Sequence, residues 1–331
     1  MIYGDLTNLI INTKLLFDNM FLRDGWFRTV SRGDTVRTVD VSALIRDPSS
    51  DNYFAGTSGA QVWQSPYQEW VYESGIVMND SPYISGMAPP MQASGIYVNG
   101  TFFSQDTGVS GLNFYIDYIN GRIIFDSANA IPENSQVQAE YSYRMVRVDT
   151  EDKFDREEIE MLAETELKDN PWSNNNELYP SGGFRTGTLP AVFLELGEGD
   201  KRAYEMGNRS SIKTQPLHAH IFAYDTATRN SILDLIDNRW RIVMPMIDFN
   251  WAPLPLSGLY GTLSPEYIPF QTLLENVVYN GNNVISKKFY VEELRTNPVE
   301  PLNKLKRARA DLQIEIYNIA PTGRIHPNPY V

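Results

Sequence analysis

Cysteine is absent from this chain. That excludes a disulfide framework, a thiolate metal site and a cysteine nucleophile, and it leaves the redox compartment unmarked. Histidine is nearly as scarce, with three residues. Positive charge is in deficit: 28 Lys and Arg stand against 41 Asp and Glu, a net charge of −13. Such a surface argues against nucleic-acid binding by phosphate neutralisation. It also opposes indiscriminate self-association, and it suits a wall past which DNA slides without sticking. No apolar run approaches the roughly 20 residues of a membrane-spanning helix. The N-terminal MIYGDLTNLIINTKLLFDNMF opens without basic residues and has no small-residue cleavage pattern, so it reads poorly as a signal peptide. The expectation is a soluble protein made in the cytoplasm.

Catalytic motifs are missing too. The sequence has no Gly-x-Ser-x-Gly elbow, no Walker loop and no dinucleotide fingerprint. Carboxylates are plentiful, but nothing in their spacing selects a glycosidase pair. Asn99 and Asn208 open glycosylation-like triplets that carry no weight without a secretory leader. His218 and His220 share one face of a strand and would offer two zinc ligands, with Asp225 or His326 as a third. Structural zinc needs four ligands, so the pair reads as strand residues. We therefore expect no catalytic residue, no cofactor and no metal, and a protein that is not an enzyme.

What the chain does have is an apolar fraction of 42%, with 19 Tyr and 15 Phe, enough for a substantial core built from strands. Its 331 residues suggest two domains or one domain with a large insertion. The clearest local pattern runs from Ser94 to Val148. Asn99-Gly100 and Asn120-Gly121 sit between alternating runs, and each dipeptide predicts a type I′ hairpin turn. Further on, Val137, Ala139, Tyr141, Tyr143 and Met145 fall on one face of a predicted strand, with Gln136, Gln138, Glu140, Ser142 and Arg144 on the other. This predicts an autonomous, inserted β-sandwich-like module over 94–150.

Residues 1–46 read as an N-terminal helix capped by Asp5 and ended by Gly25, followed by strands in which Arg32, Gly33 and Asp34 form a turn. Residues 47–93 read as an irregular connector rich in aromatics, among them Trp63, Tyr67, Trp70 and Tyr72, favoured as core or interface residues. Residues 151–188 read as an acidic helix and a linker. Asp152 or Asp155 caps the helix, Ile159, Leu162, Ala163 and Leu167 form its stripe, and its Glu run reads as a solvated face rather than a metal site.

Residues 189–331 form an α+β unit. Strand Leu189–Leu196 is expected to pair with Lys201–Met206 across a turn. A strand over Thr214–Tyr224 leads into a helix capped by Asp225 or Thr226, and the last strands lie near Lys287–Leu294 and Ala310–Ala320. Between them, 241–286 reads as a Pro-rich arm. Its large apolar residues Trp251, Leu254, Tyr260, Tyr267 and Phe270 are expected to lie across a neighbouring subunit. Lys304, Lys306, Arg307 and Arg309 form a basic cluster in a predicted loop, a candidate contact for DNA or for the acidic face of a neighbour.

Two stretches carry a resemblance. GIYVNGTFF…FYIDYINGRIIFDSA…NSQVQAEYSYRMVRV resembles the small β modules inserted in neck and tail proteins of tailed bacteriophages. LPAVFLELGEGDKRAYEMGN…PLHAHIFAYDTATRNSILDLIDNRW is similar to the core of tail-terminator and related neck-ring proteins, with the N-terminal helix matching that family's first helix. The Pro-rich arm departs from the compact family pattern.

The resemblance implies an α+β fold, mostly antiparallel β, with a tail-terminator-like core of strands and two helices plus the inserted all-β module. It implies a structural virion protein: a hexameric ring at the neck, joining the head connector to the tail tube or sheath. Genomic double-stranded DNA would pass through its lumen without sequence-specific binding. Another tail, sheath-linked, baseplate or fibre-adaptor protein is the alternative. A carbohydrate-binding adhesin, suggested by Trp63, Trp70, Trp172 and the many Tyr, is a third reading.

Overall fold

The computed structural model describes residues 4–31, 61–65, 67–79, 86–105, 112, 114–119, 121–125, 131–132, 135–150, 189–203, 211–238, 243–256, 262–276, 278–302 and 305–318. It is a mixed α+β structure made mostly of strands. The acidic helix and linker expected over 151–188 lie outside the described residues, as do the strands expected after Val30 in the first segment.

Helix α1 spans Asp5–Arg23. Its N-cap is Gly4 rather than the expected Asp5, which instead sits in the first turn and pairs with Lys287 at 2.5 Å. Gly25 ends the helix at φ +82°, with the Trp26 N–H returning to the Phe21 carbonyl.

Among the described residues, the main sheet has seven strands. In sheet order they are β13 (Val243–Ile247), β16 (Ile285–Leu302), β17 (Leu305–Asn318), β12 (Ser211–Ala223), β10 (Ala191–Leu196) and β9 (Arg147–Thr150), and β11 (Asp200–Ala203) pairs with β12. All its pairs are antiparallel except β9 with β10.

The expected hairpin between β10 and β11 does not form. Both strands lie along the same edge of β12, β10 opposite Leu217–Phe222 and β11 opposite Ser211–Thr214. Gly197–Gly199 is the break between them. A Cβ on Gly199 would lie 2.3 Å from Gln215 Oε1, because the buried Gln215 side chain fills the gap and donates to the Gly197 carbonyl. The Gly197 N–H in turn bonds the carbonyl of Pro216. A glycine-rich break suits this spot because Pro216 has no N–H to give a neighbouring strand.

One sheet face carries the main core. Val192, Leu194, Leu217, Ala219, Ile221, Ala308, Ala310, Leu312, Ile314 and Ile316 alternate onto it from β10, β12 and β17. Among the described residues, three helices supply the other side: α1, α2 (Thr226–Asp237) through Ile232 and Ile236, and the short α3 (Phe270–Glu275) through Phe270 and Leu273. Asp225 caps α2 as the sequence predicts, accepting from the Thr228 N–H at 2.8 Å and the Thr228 hydroxyl at 2.6 Å. Those bonds hold its carboxyl below the usual range. Asp225→Ala is expected to cost about 1 kcal/mol in denaturant melts. A depressed carboxylate stabilises above its unfolded value, so this increment should vanish as pH falls through the folded value.

Helix α1 also explains how the sheet ends. It packs against β13 at one edge and β9 at the other, so the sheet must curl around it. Asn12 acts as a substitute strand for β13: its Nδ2 donates to the Ile247 carbonyl at 2.8 Å and its Oδ1 accepts from the Ile247 N–H at 2.9 Å. Asn8 accepts from the Phe249 N–H at 3.1 Å. On the far edge, Lys14 Nζ donates to the Val148 carbonyl at 2.6 Å. Asn8 and Asn12 of α1 thus cap one sheet edge and Lys14 the other. Asn12→Leu is expected to destabilise by about 1–3 kcal/mol for each Ile247 backbone group left bare, read as a lower denaturant midpoint at unchanged slope.

A second core lies in an all-β unit. It comprises β2 (Gln61–Gln64), β6 (Arg122–Phe125) and β5 (Phe114–Asp117) in one sheet, and β4 (Thr101–Ser104), β3 (Gly95–Val98) and β7 (Val137–Ala139) in another. Strand β8 (Tyr141–Arg144) pairs with β1 (Phe27–Val30).

This unit departs from the expected autonomous 94–150 module in three ways. It recruits β2 and the aromatic connector, with Trp63, Trp70 and Tyr72 buried in its core. The strand predicted through 137–145 breaks at Glu140, sending β7 to β3 and β8 to β1. Ser142 and Arg144, assigned by alternation to a polar face, are buried. Asn99-Gly100 makes the predicted tight hairpin, with φ of +49° and +83° between Val98 and Thr101. The second hairpin ladder already ends at Asp117 opposite Arg122, so its connection spans 118–121 rather than two residues. There Gly121 is required: φ is +63°, and a Cβ would lie 2.1 Å from the Tyr67 carbonyl oxygen.

The two units meet over buried charge. Arg144 Nη2 lies 2.5 Å from Glu73 Oε2, and its Nη1 donates to the Trp70 carbonyl at 3.2 Å. Its Nε is 3.8 Å from Asp18 of α1, and Glu69 is 3.9 Å from its Nη1. Arg147 of β9 pairs with Asp149 at 2.8 Å and reaches Glu69 at 4.0 Å, and Lys14 pairs with Asp18 at 3.0 Å. Burial pushes the Glu69 carboxyl up, against the pull of Arg147 and Arg144. Burial opposes the Lys14 ammonium, yet Asp18 and Asp149 hold its value above the ordinary one.

The described residues of 241–286 form a strap within the chain rather than an arm reaching outward. Phe249, Ala252, Phe270 and Leu273 are buried in the main core, and Leu256, Leu263 and Tyr267 pack against the second. Its described residues include β13, α3, and the tight hairpin of β14 (Val278–Tyr279) and β15 (Asn282–Asn283). Asn280-Gly281, at φ +47° and +79°, forms that turn.

Candidate functional site

The face of the main sheet turned away from the helices carries a band of charge. Strand alternation and register bring it together: Glu195 from β10, His218 and His220 from β12, Arg309 and Asp311 from β17, and Glu293 and Arg295 from β16. His218 Nδ1 is 2.5 Å from Asp311 Oδ1, and His220 Nε2 is 2.7 Å from Glu195 Oε2. A carboxylate only accepts, so the bonded ring nitrogen carries the hydrogen in each pair, which fixes each tautomer.

Arg309 grips the same Asp311 with Nε at 2.8 Å and Nη2 at 2.9 Å. Burial would push the Asp311 carboxyl up, but the bonds from Arg309 and His218 outweigh it and hold it below the usual range. Arg295 and Glu293 pair at 2.7 Å and are largely exposed. Pro216, His218, Glu293, Arg295, Arg309, Asp311, Leu312 and Gln313 line an open depression of about 370 Å³. Beside this band lies a small apolar island of Leu189, Ala191, Phe193, Phe222 and Leu305. Arg307 covers the Phe222 ring at 5.6 Å and Arg147 the Phe193 ring at 5.7 Å.

The residues predicted as an interface do not form one patch. Phe270 is buried in the main core, Leu254 packs against it, and Tyr267 lies edge-on to Tyr72 in the second core at 6.3 Å. Trp251 is 53% exposed on the turn after β13. Tyr260 and Lys304 lie outside the described residues. Lys306, Arg307 and Arg309 belong to β17 rather than to a loop, because that strand begins at Leu305, earlier than its alternation suggests.

The histidine pair gains no third ligand among the described residues. Asp225 is engaged as a helix cap, and His326 lies outside the described residues. Glu195, Asp311, Glu293 and Arg295 were missed by the sequence reading. Their signal is register across three strand junctions, which linear spacing does not carry. The aromatic basis of an adhesin also changes place: Trp63 and Trp70 are 4% and 0% exposed, and Trp172 lies outside the described residues.

No protein-family model matches the chain, and no curated protein matches it. Among the described residues, no helix is long and apolar enough to cross a membrane.

Proposed function

We propose that this chain is a structural assembly protein: a ring subunit of a tailed-phage virion, set at the neck or head-proximal end of the tail, where it joins the head connector to the tail tube or sheath. The observation that carries the reading is the ion-paired sheet face. Its histidines and its Asp311 are each held by a side chain of an adjacent strand, an arrangement that suits a specific contact surface. From Ala191 the described elements run β10, β11, β12, α2, β13, α3, the β14–β15 hairpin, β16 and β17. Each subunit would offer one surface and receive another, and rotation would close the ring. The net charge of −13 suits a lumen that passes genomic DNA without retaining it.

Electron micrographs of the particle that contains this chain, with the chain labelled by antibody, test the reading. The expected result is a closed ring, six-fold, at the junction of head and tail. Label at the baseplate or on a three-fold fibre would overturn it.

A further inference from the structure

The buried charge between the two units does not balance. Three cations, Lys14, Arg144 and Arg147, face four carboxylates. Three of those carboxylates hold a cation at hydrogen-bond distance: Asp18 with Lys14 at 3.0 Å, Glu73 with Arg144 at 2.5 Å and Asp149 with Arg147 at 2.8 Å. The fourth is Glu69. It lies 3.9 Å from Arg144 and 4.0 Å from Arg147, beyond hydrogen-bond distance from either. With every group ionised, the cluster carries one negative charge in excess, and Glu69 is the member without a close cation.

We propose that the Glu69 carboxyl is a proton-binding site that sets how firmly the two units hold together: protonated, it closes the junction; ionised, it loosens it. The proposal is independent of the ring reading.

The backbone is the second observation. Glu69 sits at φ +53°, the left-handed region that glycine fills without strain. Its neighbours hold it there. The Glu69 N–H donates to the Ile119 carbonyl at 2.9 Å, and its carbonyl accepts from the Arg144 N–H at 2.8 Å. A strained non-glycine residue persists where the surrounding structure fixes it, and such residues gather at functional positions. Here the strain aims a carboxyl at the one place where α1, β8 and β9 converge.

The surroundings favour the neutral acid. Glu69's side chain is 13% exposed, which leaves a path for proton exchange and little water to solvate a charge. Burial is the largest influence on this carboxyl and pushes it up, as does Asp149. Arg147, Arg144 and Lys14 pull the other way and do not prevail, since each already serves a nearer carboxylate. Asp18 of α1 and Glu73 of the connector add like charge on the remaining sides. An ionised Glu69 gains hydration only if the junction opens. Below its ordinary value the carboxyl is neutral in the open and closed states alike, and the closed state keeps its full stability. As pH rises from there through the raised value, the open state gives up the proton first, so the closed state loses stability.

Full-length protein labelled with carbon-13 at the glutamate carboxyls tests the site directly. Parent and Glu69→Gln are titrated by NMR from about pH 4 to about pH 8, an interval that begins near the ordinary glutamate value of about 4.3. The expected result is one carboxyl resonance that titrates above the others and is missing from Glu69→Gln. Deuterium exchange, compared between the two proteins at the same pH, reads the junction. Peptides covering α1 and residues 67–73 should exchange equally at the acid end. At the alkaline end those of the parent should exchange about threefold or more faster than those of Glu69→Gln. Glu69→Gly suits the positive φ and removes the carboxyl in a second way, so it should match Glu69→Gln and serves in its place if the amide does not pack.

Glutamate carboxyls that all titrate in the ordinary range would overturn the proton site. A displaced titration with equal exchange in parent and both variants would overturn the control of the junction. Slower exchange in the parent at the alkaline end would also overturn the proposal, because ionised Glu69 would then be the closing form.

Discussion

Arg144→Ala is expected to destabilise the protein by about 3–5 kcal/mol, the cost of leaving a buried carboxylate without its cation. Arg144 is 7% exposed and Glu73 is 3% exposed, so water cannot replace the lost partner. The guanidinium does more than neutralise. It reaches both Glu73 oxygens, bonds the Trp70 carbonyl and lies 4.5 Å over the Tyr72 ring. Arg144→Lys keeps the charge but loses the planar fork, so it should recover only part of the stability. Arg144→Met combined with Glu73→Leu should be milder than either single change, since neither member of the pair is left alone while Asp18 keeps Lys14 and Glu69 keeps Arg147. A double-mutant cycle by urea denaturation measures this coupling. Additive single effects would show that the two groups are solvated independently, contrary to this geometry. Because Asp18 comes from α1 and Glu73 from the aromatic connector, the Arg144→Ala loss should appear as one transition that includes both units.

Trp70→Ala is expected to cost a similar amount, about 3–5 kcal/mol. Trp70 is fully buried and stacks on Tyr141 with centroids 3.8 Å apart at 14°. Its indole N–H donates to the Tyr67 carbonyl at 2.9 Å, and its backbone N–H to the Tyr118 carbonyl at 2.7 Å. Trp70→Phe keeps much of the buried area and loses the indole bond, so about 1–2 kcal/mol is expected. Guanidinium titrations followed by far-UV circular dichroism would separate the two. An alanine variant as stable as the parent would mean that the second core contributes nothing to the cooperative fold. The consequence for construction is direct. The all-β unit cannot be excised at 94–150, because its core depends on Trp63, Trp70 and Tyr72, and β9 at its end belongs to the main sheet.

Local chemistry was legible wherever a few adjacent residues decide the outcome. Asn99-Gly100 turned as expected because positive φ at both positions is a property of the dipeptide. Asp225 capped α2 because the bond spans three residues. The strands β12 and β17 announced themselves by alternation, and β10 by its apolar run. The Pro-rich segment misled because its own backbone pattern is weak. Its large side chains belong to two cores that the sequence does not identify as adjacent.

By itself, then, the sequence determined an α+β chain of many antiparallel strands, the Asn99-Gly100 turn, the Asp225 cap, and a composition poor in positive charge, since each of these depends on neighbours along the chain or on composition alone. Tertiary structure alone decided that β10 and β11 share one edge of β12, that Asn12 and Lys14 close the ends of the sheet, and that Ser142 and Arg144 are interior. It also decided that His218 and His220 each meet a carboxylate of a different strand. Partners such as Arg144 with Glu73, or Asn12 with Ile247, are 71 and 235 residues apart. Which carboxylate or carbonyl a side chain meets at that separation is set by strand register and sheet curl, and neither leaves a periodic trace in the chain.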